Sequence, residues 1–365
     1  MNKKRCIYYI PFHIDTNTKS GTNIRPIKML EAFEKIGYEV DNVVGYAEDR
    51  KIKIKEIKEN IKKGVKYDFL YTESSTMPTL LTEKNHLPLH PFFDFNFFNY
   101  CRKNGIKVGL FYRDMHWKFH FYNKNVSFIK RNFAKLFYKY DLYKYRKVID
   151  VFYTSTFGYK KYLPKKLINN IEYKLLPPGC MSANYVEANN DKFTIFYVGG
   201  ISDELYDFRL LFKVVSKIKD VKLIVCCREK DWENVKDKYE KYLNENILII
   251  HKSGEELEEY YAKADVYALL YDYNSYRDIC VPYKVFEYLA HNKPIIANSN
   301  TAVSEYIKEN GIGFVVDYDE EKIKKLLIDL KNNPDKLKRI IDNQRNIIFK
   351  NTWKDRAFQV SNDLK

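Results

Sequence analysis

Pro282-Tyr283-Lys284-Val285-Phe286-Glu287-Tyr288-Leu289-Ala290, then His291-Asn292, then Lys293-Pro294-Ile295-Ile296-Ala297, is the stretch from which the rest of this chain is read. A proline opens an amphipathic helix, His291-Asn292 supply a tight turn, and a β-branched apolar segment begins a buried strand. Lys284 falls in the helix's first turn, where unpaired backbone N–H groups and the positive dipole end favour an anion, and Glu287 lies three residues on along the same face. A cation for phosphate thus sits beside a carboxylate suited to sugar hydroxyls. Taken alone, the motif is equally a solvated i,i+3 ion pair on a surface helix.

Outward from this point the chain alternates. Strand-like segments at 5–10, 40–44, 69–72, 107–112 and 148–154 are interleaved with helical stretches such as 25–36 and 51–63, which is the pattern of a parallel sheet covered by helices. The run Tyr173-Lys174-Leu175-Leu176 stops at Pro177-Pro178-Gly179 and a polar stretch, 187–192, follows, so the domain boundary is predicted there. A second alternation starts at Phe193-Thr194-Ile195-Phe196-Tyr197-Val198, ends its first strand in Gly199-Gly200, and runs through a helix at 207–218, strands at 222–227 and 246–250, a helix at 255–264 and a strand at 266–270. The fold class predicted is α/β, two Rossmann-like doubly wound parallel-sheet domains in series, a division that 365 residues suit. Ligands of such sheets bind beyond the carboxyl ends of the strands, so the loops after Val198, Cys227, Ile250 and Leu270 are expected to face a central cleft.

Charge is divided unevenly. Residues 1–175 hold 34 Lys and Arg against 17 Asp and Glu, a balance of +17, and residues 176–365 hold 29 against 31, a balance of −2. An N-terminal field of this sign favours nucleic acid, an acidic lipid surface or a phosphorylated substrate. The six cysteines show no C-x-x-C spacing, which points to reduced thiols and a cytoplasmic protein. The basic start of the chain resembles a signal peptide only until Pro11, His13 and Asp15 end the apolar run, and a first β-strand is the better reading. No stretch approaches the roughly 20 apolar residues that span a bilayer.

The 282–297 segment resembles the nucleotide-sugar site of GT-B glycosyltransferases close to glycosyltransferase family 4, with its P-x-K-x-F-E-Y-x-A helix and K-P-[IV]-[IV] strand. The resemblance implies a lysine (Lys284, beside Tyr283) on the donor pyrophosphate and a glutamate (Glu287) on the ribose. It also implies a UDP-sugar donor in preference to a GDP-sugar, with no other cofactor and no catalytic metal. One departure stands out: many family 4 members carry a second glutamate eight residues earlier, where this chain has Ile279, with Asp278 next to it. Gly199-Gly200 resembles the F-x-Y-x-G-G turn that approaches the donor phosphates in these enzymes, although two glycines after a strand are also an ordinary turn. Ser20-Gly21-Thr22-Asn23-Ile24-Arg25-Pro26 resembles the family's G-x-x-x-R-P loop; Gly21 would admit close backbone approach and Arg25 a bidentate anion contact, or the segment is a structural connector. Arg228, after the Cys226-Cys227 strand end, is a further cleft candidate.

Two segments remain. Tyr112-Arg113-Asp114-Met115-His116-Trp117-Lys118-Phe119 follows a strand, and transfer of a sugar to a hydroxyl needs a base, for which Asp114 is the first candidate and His116 the second. Alternatively Arg113 and Asp114 pair to fix the loop. Residues 117–147 then interleave eleven aromatic with nine basic side chains and a single acid, Asp141. Rings and lysines at helical spacing describe a helix at an anionic membrane interface, or else an amphipathic helix whose rings are core. Asp317-Tyr318-Asp319 matches D-x-D, yet a helical run follows it, so an aspartate there is predicted to cap a helix and no metal site is expected.

Read together, these features predict an N-terminal acceptor-binding domain over 1–178, to which 354–365 return, and a nucleotide-sugar-binding domain over 190–353. The activity predicted is glycosyl transfer to a glycan or lipid-linked acceptor in surface polysaccharide assembly, by a cytoplasmic protein peripheral to the inner face of the cell membrane, with no nucleic-acid partner. The rivals are a GT-B nucleotide-sugar epimerase, which would not need a basic aromatic acceptor domain, and a nucleic-acid-binding protein on a degenerate scaffold, against which an intact Lys284/Glu287 pair argues.

Overall fold

The computed structural model describes residues 4–15, 21–181, 186 and 190–365. The chain divides into two units, 1–179 with 353–365 and 180–352. The polar stretch 187–192 lies partly outside the described residues, as does Ser20.

The first unit is a six-stranded parallel sheet in the order β2-β1-β3-β4-β5-β6, where β1 is Arg5–Ile10, β2 Glu39–Val44, β3 Phe69–Glu73, β4 Lys107–Phe111, β5 Val151–Thr154 and β6 Glu172–Leu175. Its central strands are buried on both faces, so they read as continuous apolar runs and not as alternation. The helix after β1 spans Gly21–Lys35, starting several residues before the predicted position, with Pro26 inside it. Gly21 is therefore the first residue of a helix and not part of an open loop. The helix Trp353–Leu364 packs on this sheet: Tyr153 Oη donates to Asp363 at 3.0 Å, and a Cβ on Gly109 would lie 2.7 Å from Leu364 Cδ1, so β4 needs glycine there.

The second unit is also a six-stranded parallel sheet, β12-β11-β10-β7-β8-β9, comprising β7 Phe193–Val198, β8 Val221–Cys226, β9 Ile247–Ile250, β10 Val266–Leu269, β11 Ile295–Asn298 and β12 Gly313–Val316. Read from the other edge this is the dinucleotide-fold order, and the direction of winding reverses between β7 and β10. The helix Tyr283–Ala290 buries Val285, Phe286, Tyr288, Leu289 and Ala290, and Tyr288 Oη accepts the Val198 N–H at 3.1 Å, so helix and strand end are tied together. Asp319, and not Asp317, caps the helix Glu320–Asn332 by accepting the Lys322 N–H at 3.0 Å. Asp317 instead accepts from Ser299 Oγ and Lys322 Nζ.

Candidate functional site

The carboxyl ends of β7 and β10 meet at the switch point of the second unit, and the opening motif of the sequence projects onto them. Lys284 Nζ donates to Tyr197 Oη at 2.7 Å, and Tyr197 Oη donates to the Gly200 carbonyl at 2.7 Å, so the ammonium is hung on the turn that ends β7. It lies 4.4 Å from the Tyr197 ring centroid and 4.9 Å from that of Tyr206. Gly199 has φ +147°, and a Cβ there would fall on Lys284 Nζ and within 2.9 Å of Tyr197 Oη. Glycine is required because the cation occupies the space that a side chain would take. A Cβ on Gly200 would meet the Tyr206 ring at 3.4 Å, an ordinary contact, so that position does not itself require glycine.

The surface ion pair is ruled out: Lys284 and Glu287 form no salt bridge, and Lys284 turns to the tyrosines. Burial pushes the Lys284 pKa down to about 7, with the nearby Arg277 adding to the fall and Glu287 opposing it. Burial raises the Glu287 carboxyl, opposed by the neighbouring Tyr261 hydroxyl, His291 and Lys284. His291 stacks on Tyr261 at 3.8 Å and its Nδ1 lies 2.8 Å from the Glu287 carbonyl oxygen, fixing the end of the helix. Tyr283 is the first residue of that helix, half-buried. Ile279 is fully buried, and Asp278 accepts from Tyr273 Oη at 2.7 Å, so the position of the missing glutamate is apolar core. Arg228 is exposed and pairs with Asp231 at 2.9 Å, beside the Gly200 turn.

Tyr197, Tyr206 and Arg277 escaped the sequence reading. Tyr197 stands two residues before Gly199 and so on the same face of the strand, which is a usable signal; Arg277 lies in a single 3-10 turn, Ser275–Asp278, too short for spacing to carry one.

In the first unit the carboxyl end of β3 presents Glu73, fully buried, to two arginines. Arg113 Nη2 lies 2.6 Å from Glu73 Oε2 and Arg25 Nε 3.3 Å from Glu73 Oε1, while Arg25 Nη2 donates to the Leu176 carbonyl at 3.1 Å. Arg25 is also stacked on Phe111 at 3.5 Å. Arg113 therefore pairs with Glu73 and not with Asp114, because the inward-facing carboxylate at the strand end neutralises a guanidinium that burial would otherwise strand. Asp114 is left to accept the His116 N–H at 3.0 Å, and its other oxygen is 3.5 Å from His116 Nδ1. His116 Nε2 faces Tyr138 Oη at 3.4 Å. Asp114 and His116 are thus adjacent and partly exposed, at 17% and 19% of their side-chain surface. Glu73 gave no signal in sequence, since it closes an apolar strand.

The basic aromatic stretch splits in two. Trp117, Phe119, Tyr122, Tyr138 and Tyr145 are buried, and Asp141, at about 8, is raised by burial while its carboxylate accepts the Thr79 N–H at 2.7 Å. The opposite side of the helix Phe128–Val148 exposes Phe128, Ile129, Phe133, Leu136 and Tyr143 at i, i+4, i+7 spacing, with Lys139 and Lys147 exposed beside them. No helix among the described residues is long and apolar enough to cross a membrane. No group of three or more potential metal ligands occurs among the described residues.

Residues 184–347 match the family model described as glycosyl transferases group 1. The second unit is a group 1 glycosyl transferase domain. The whole chain superposes on solved structures at low identity, which shows a shared fold. Sucrose-phosphate synthase from Thermosynechococcus elongatus aligns with a TM-score of 0.66 and 14% identity, covering 99% of this chain and 98% of that one. HepE from Anabaena, in complex with UDP, gives 0.63 and 10%, covering 98% and 99%. WaaG, a glycosyltransferase involved in lipopolysaccharide biosynthesis, gives 0.56 and 11%, covering 98% and 99%. No curated protein sequence matches the chain. With the GT-B fold around a group 1 domain, the chain is a glycosyltransferase, and the Lys284 site lies within the part of the glycosyltransferase that the family model matches.

Proposed function

We propose that this glycosyltransferase moves a sugar from a UDP-sugar, bound in the second unit, to a hydroxyl of a glycan or lipid-linked acceptor bound by the first. The observation that carries the reading is the seating of Lys284 over Gly199 at the β7/β10 switch point: a cation with two N–H donors left after its bond to Tyr197, at the first turn of a helix, is a diphosphate contact. Glu287, one turn along, takes the ribose hydroxyls. Uracil as the base is supported by HepE, solved with UDP and with UDP-glucose, and a surface-glycan setting by WaaG.

The acceptor proton goes to the Asp114/His116 pair. Asp114 is the base, and the hydrogen bond it accepts from the His116 N–H keeps the imidazole beside it. Arg25 and Arg113, turned onto Glu73, hold the ends of β3 and β4 in place, so any part they take in acceptor binding is indirect. The exposed stripe of the helix Phe128–Val148 meets anionic lipid, its rings at the headgroup boundary and its lysines on phosphates, at the inner face of the cell membrane. The +17 balance of the first 175 residues supports that partner.

Thermal-shift titration with UDP, GDP, ADP and TDP tests the donor reading. UDP should raise Tm most; a protein indifferent to all four has no such site.

A further inference from the structure

Arg277 sits in the loop between β10 and the helix Tyr283–Ala290 with 2% of its surface exposed, and its Nε and Nη2 are buried without an acceptor among the described residues. Its guanidinium lies 3.9 Å from the Tyr271 ring and 5.0 Å from the Tyr206 ring. Lys284 Nζ lies 4.9 Å from that same Tyr206 ring. Two cations therefore contact one aromatic ring, and neither forms a salt bridge among the described residues. A π face attracts a cation more weakly than a counter-ion does, and unfilled N–H donors in the interior are destabilising, so the arrangement is one of charge held for an anion. Arginines elsewhere in the chain are treated differently: Arg25 and Arg50, both buried, and Arg113, 10% exposed, each have a carboxylate in contact.

We propose that Arg277 is a second cation for the donor diphosphate, acting with Lys284, and that Tyr206 positions both. This rests on the reading of Lys284 as a diphosphate contact. The planar fork of Arg277 takes two oxygens of the terminal phosphoryl group, which UMP lacks, while Lys284, a point charge, takes the inner one. The Tyr206 ring must swing off the guanidinium for phosphate to reach it. That ring is carried on a small hairpin closed by two backbone bonds, Ser202 N–H to Tyr206 O at 3.1 Å and Tyr206 N–H to Ser202 O at 3.2 Å, beginning just after Gly199-Gly200.

The test compares UDP with UMP by calorimetry in the wild type, Arg277→Gln and Lys284→Ala. Arg277→Gln should weaken UDP about 10- to 100-fold, the worth of a hydrogen bond to a charged group, and leave UMP within a few-fold, so the preference for the diphosphate collapses. A lesion that was merely structural would weaken both nucleotides alike and would overturn the proposal. If Arg277→Gln binds UDP as the wild type does while Lys284→Ala does not, the role of Arg277 is wrong and the donor site stands. If neither variant changes UDP binding, the donor reading itself fails. Hydrogen exchange on the wild type keeps the proposal open to refutation should Arg277→Gln not fold: UDP, and not UMP, should alter exchange in the peptides covering 202–206 and 275–279, and unchanged exchange in both would refute it.

Discussion

Binding of UDP should take up a proton at Lys284. The free protein holds this ammonium among tyrosine rings with its pKa at about 7, whereas a diphosphate beside it restores the charged form toward the ordinary lysine range. At about pH 8 only about one tenth of the free protein carries the charge, so each UDP bound should bring about 0.9 of a proton with it. Affinity should fall about fifty-fold between about pH 7 and 9, a slope approaching one decade per unit, because the terminal phosphate of UDP, with a second pKa of about 6, is already ionised throughout that range. The sign for stability is the opposite. The unfolded chain binds the proton more tightly than the folded one between about 7 and the ordinary lysine value of 10.5, so this residue's contribution to the stability of the free protein rises with pH through the window in which affinity is lost. Calorimetry in two buffers of different ionisation enthalpy reads the proton directly. Lys284→Ala should abolish both the uptake and the slope. A wild-type affinity that is flat from about pH 7 to 9, or a slope that survives in Lys284→Ala, would refute the assignment.

Gly199→Ala should lose UDP binding as Lys284→Ala does while costing about 1 to 3 kcal/mol of stability, since the methyl displaces the ammonium and strains a positive φ; binding at wild-type strength would mean that the cation is not held over the turn. Asp114→Asn should lower kcat by about 10² to 10⁴ with UDP affinity unchanged, and near-normal turnover would move the base elsewhere. Replacing Phe128, Ile129, Phe133 and Leu136 together with Gln should leave Tm close to that of the wild type, because all four are exposed, and should abolish co-sedimentation with anionic vesicles. If that variant still pellets, the stripe does not carry membrane binding. Asp319→Ala should cost about 1 kcal/mol by chemical denaturation through loss of the helix cap, and Asp317→Ala should leave the cap intact.

The alternation of apolar segments with helical ones determined two parallel sheets covered by helices, because local pattern is a property of short windows. Strand ends were legible to within a few residues. The start of the first long helix was not, since a glycine and a proline near its amino end read as loop. Lys284, Glu287 and Gly199 could be named from the sequence because a helix start and a strand end each carry their own signal. Why Gly199 must be glycine was decided only when the fold brought position 284 onto position 199. The same holds for Arg113, whose neighbour in sequence is Asp114 and whose partner in space is Glu73, forty residues earlier at the end of the adjacent strand. Eleven aromatic side chains in 117–147 carried no label of inside or outside; the packing of Tyr138, Leu142 and Tyr145 against the first unit buried one side of the helix and left Phe128, Ile129, Phe133 and Leu136 to water. Sequence periodicity names the faces of a helix, and burial by distant segments chooses between them. Arg277 is the extreme case: nothing adjacent to it in the chain marks it, and only the convergence of β7, β10 and their loops sets it beside Lys284 on a shared tyrosine ring.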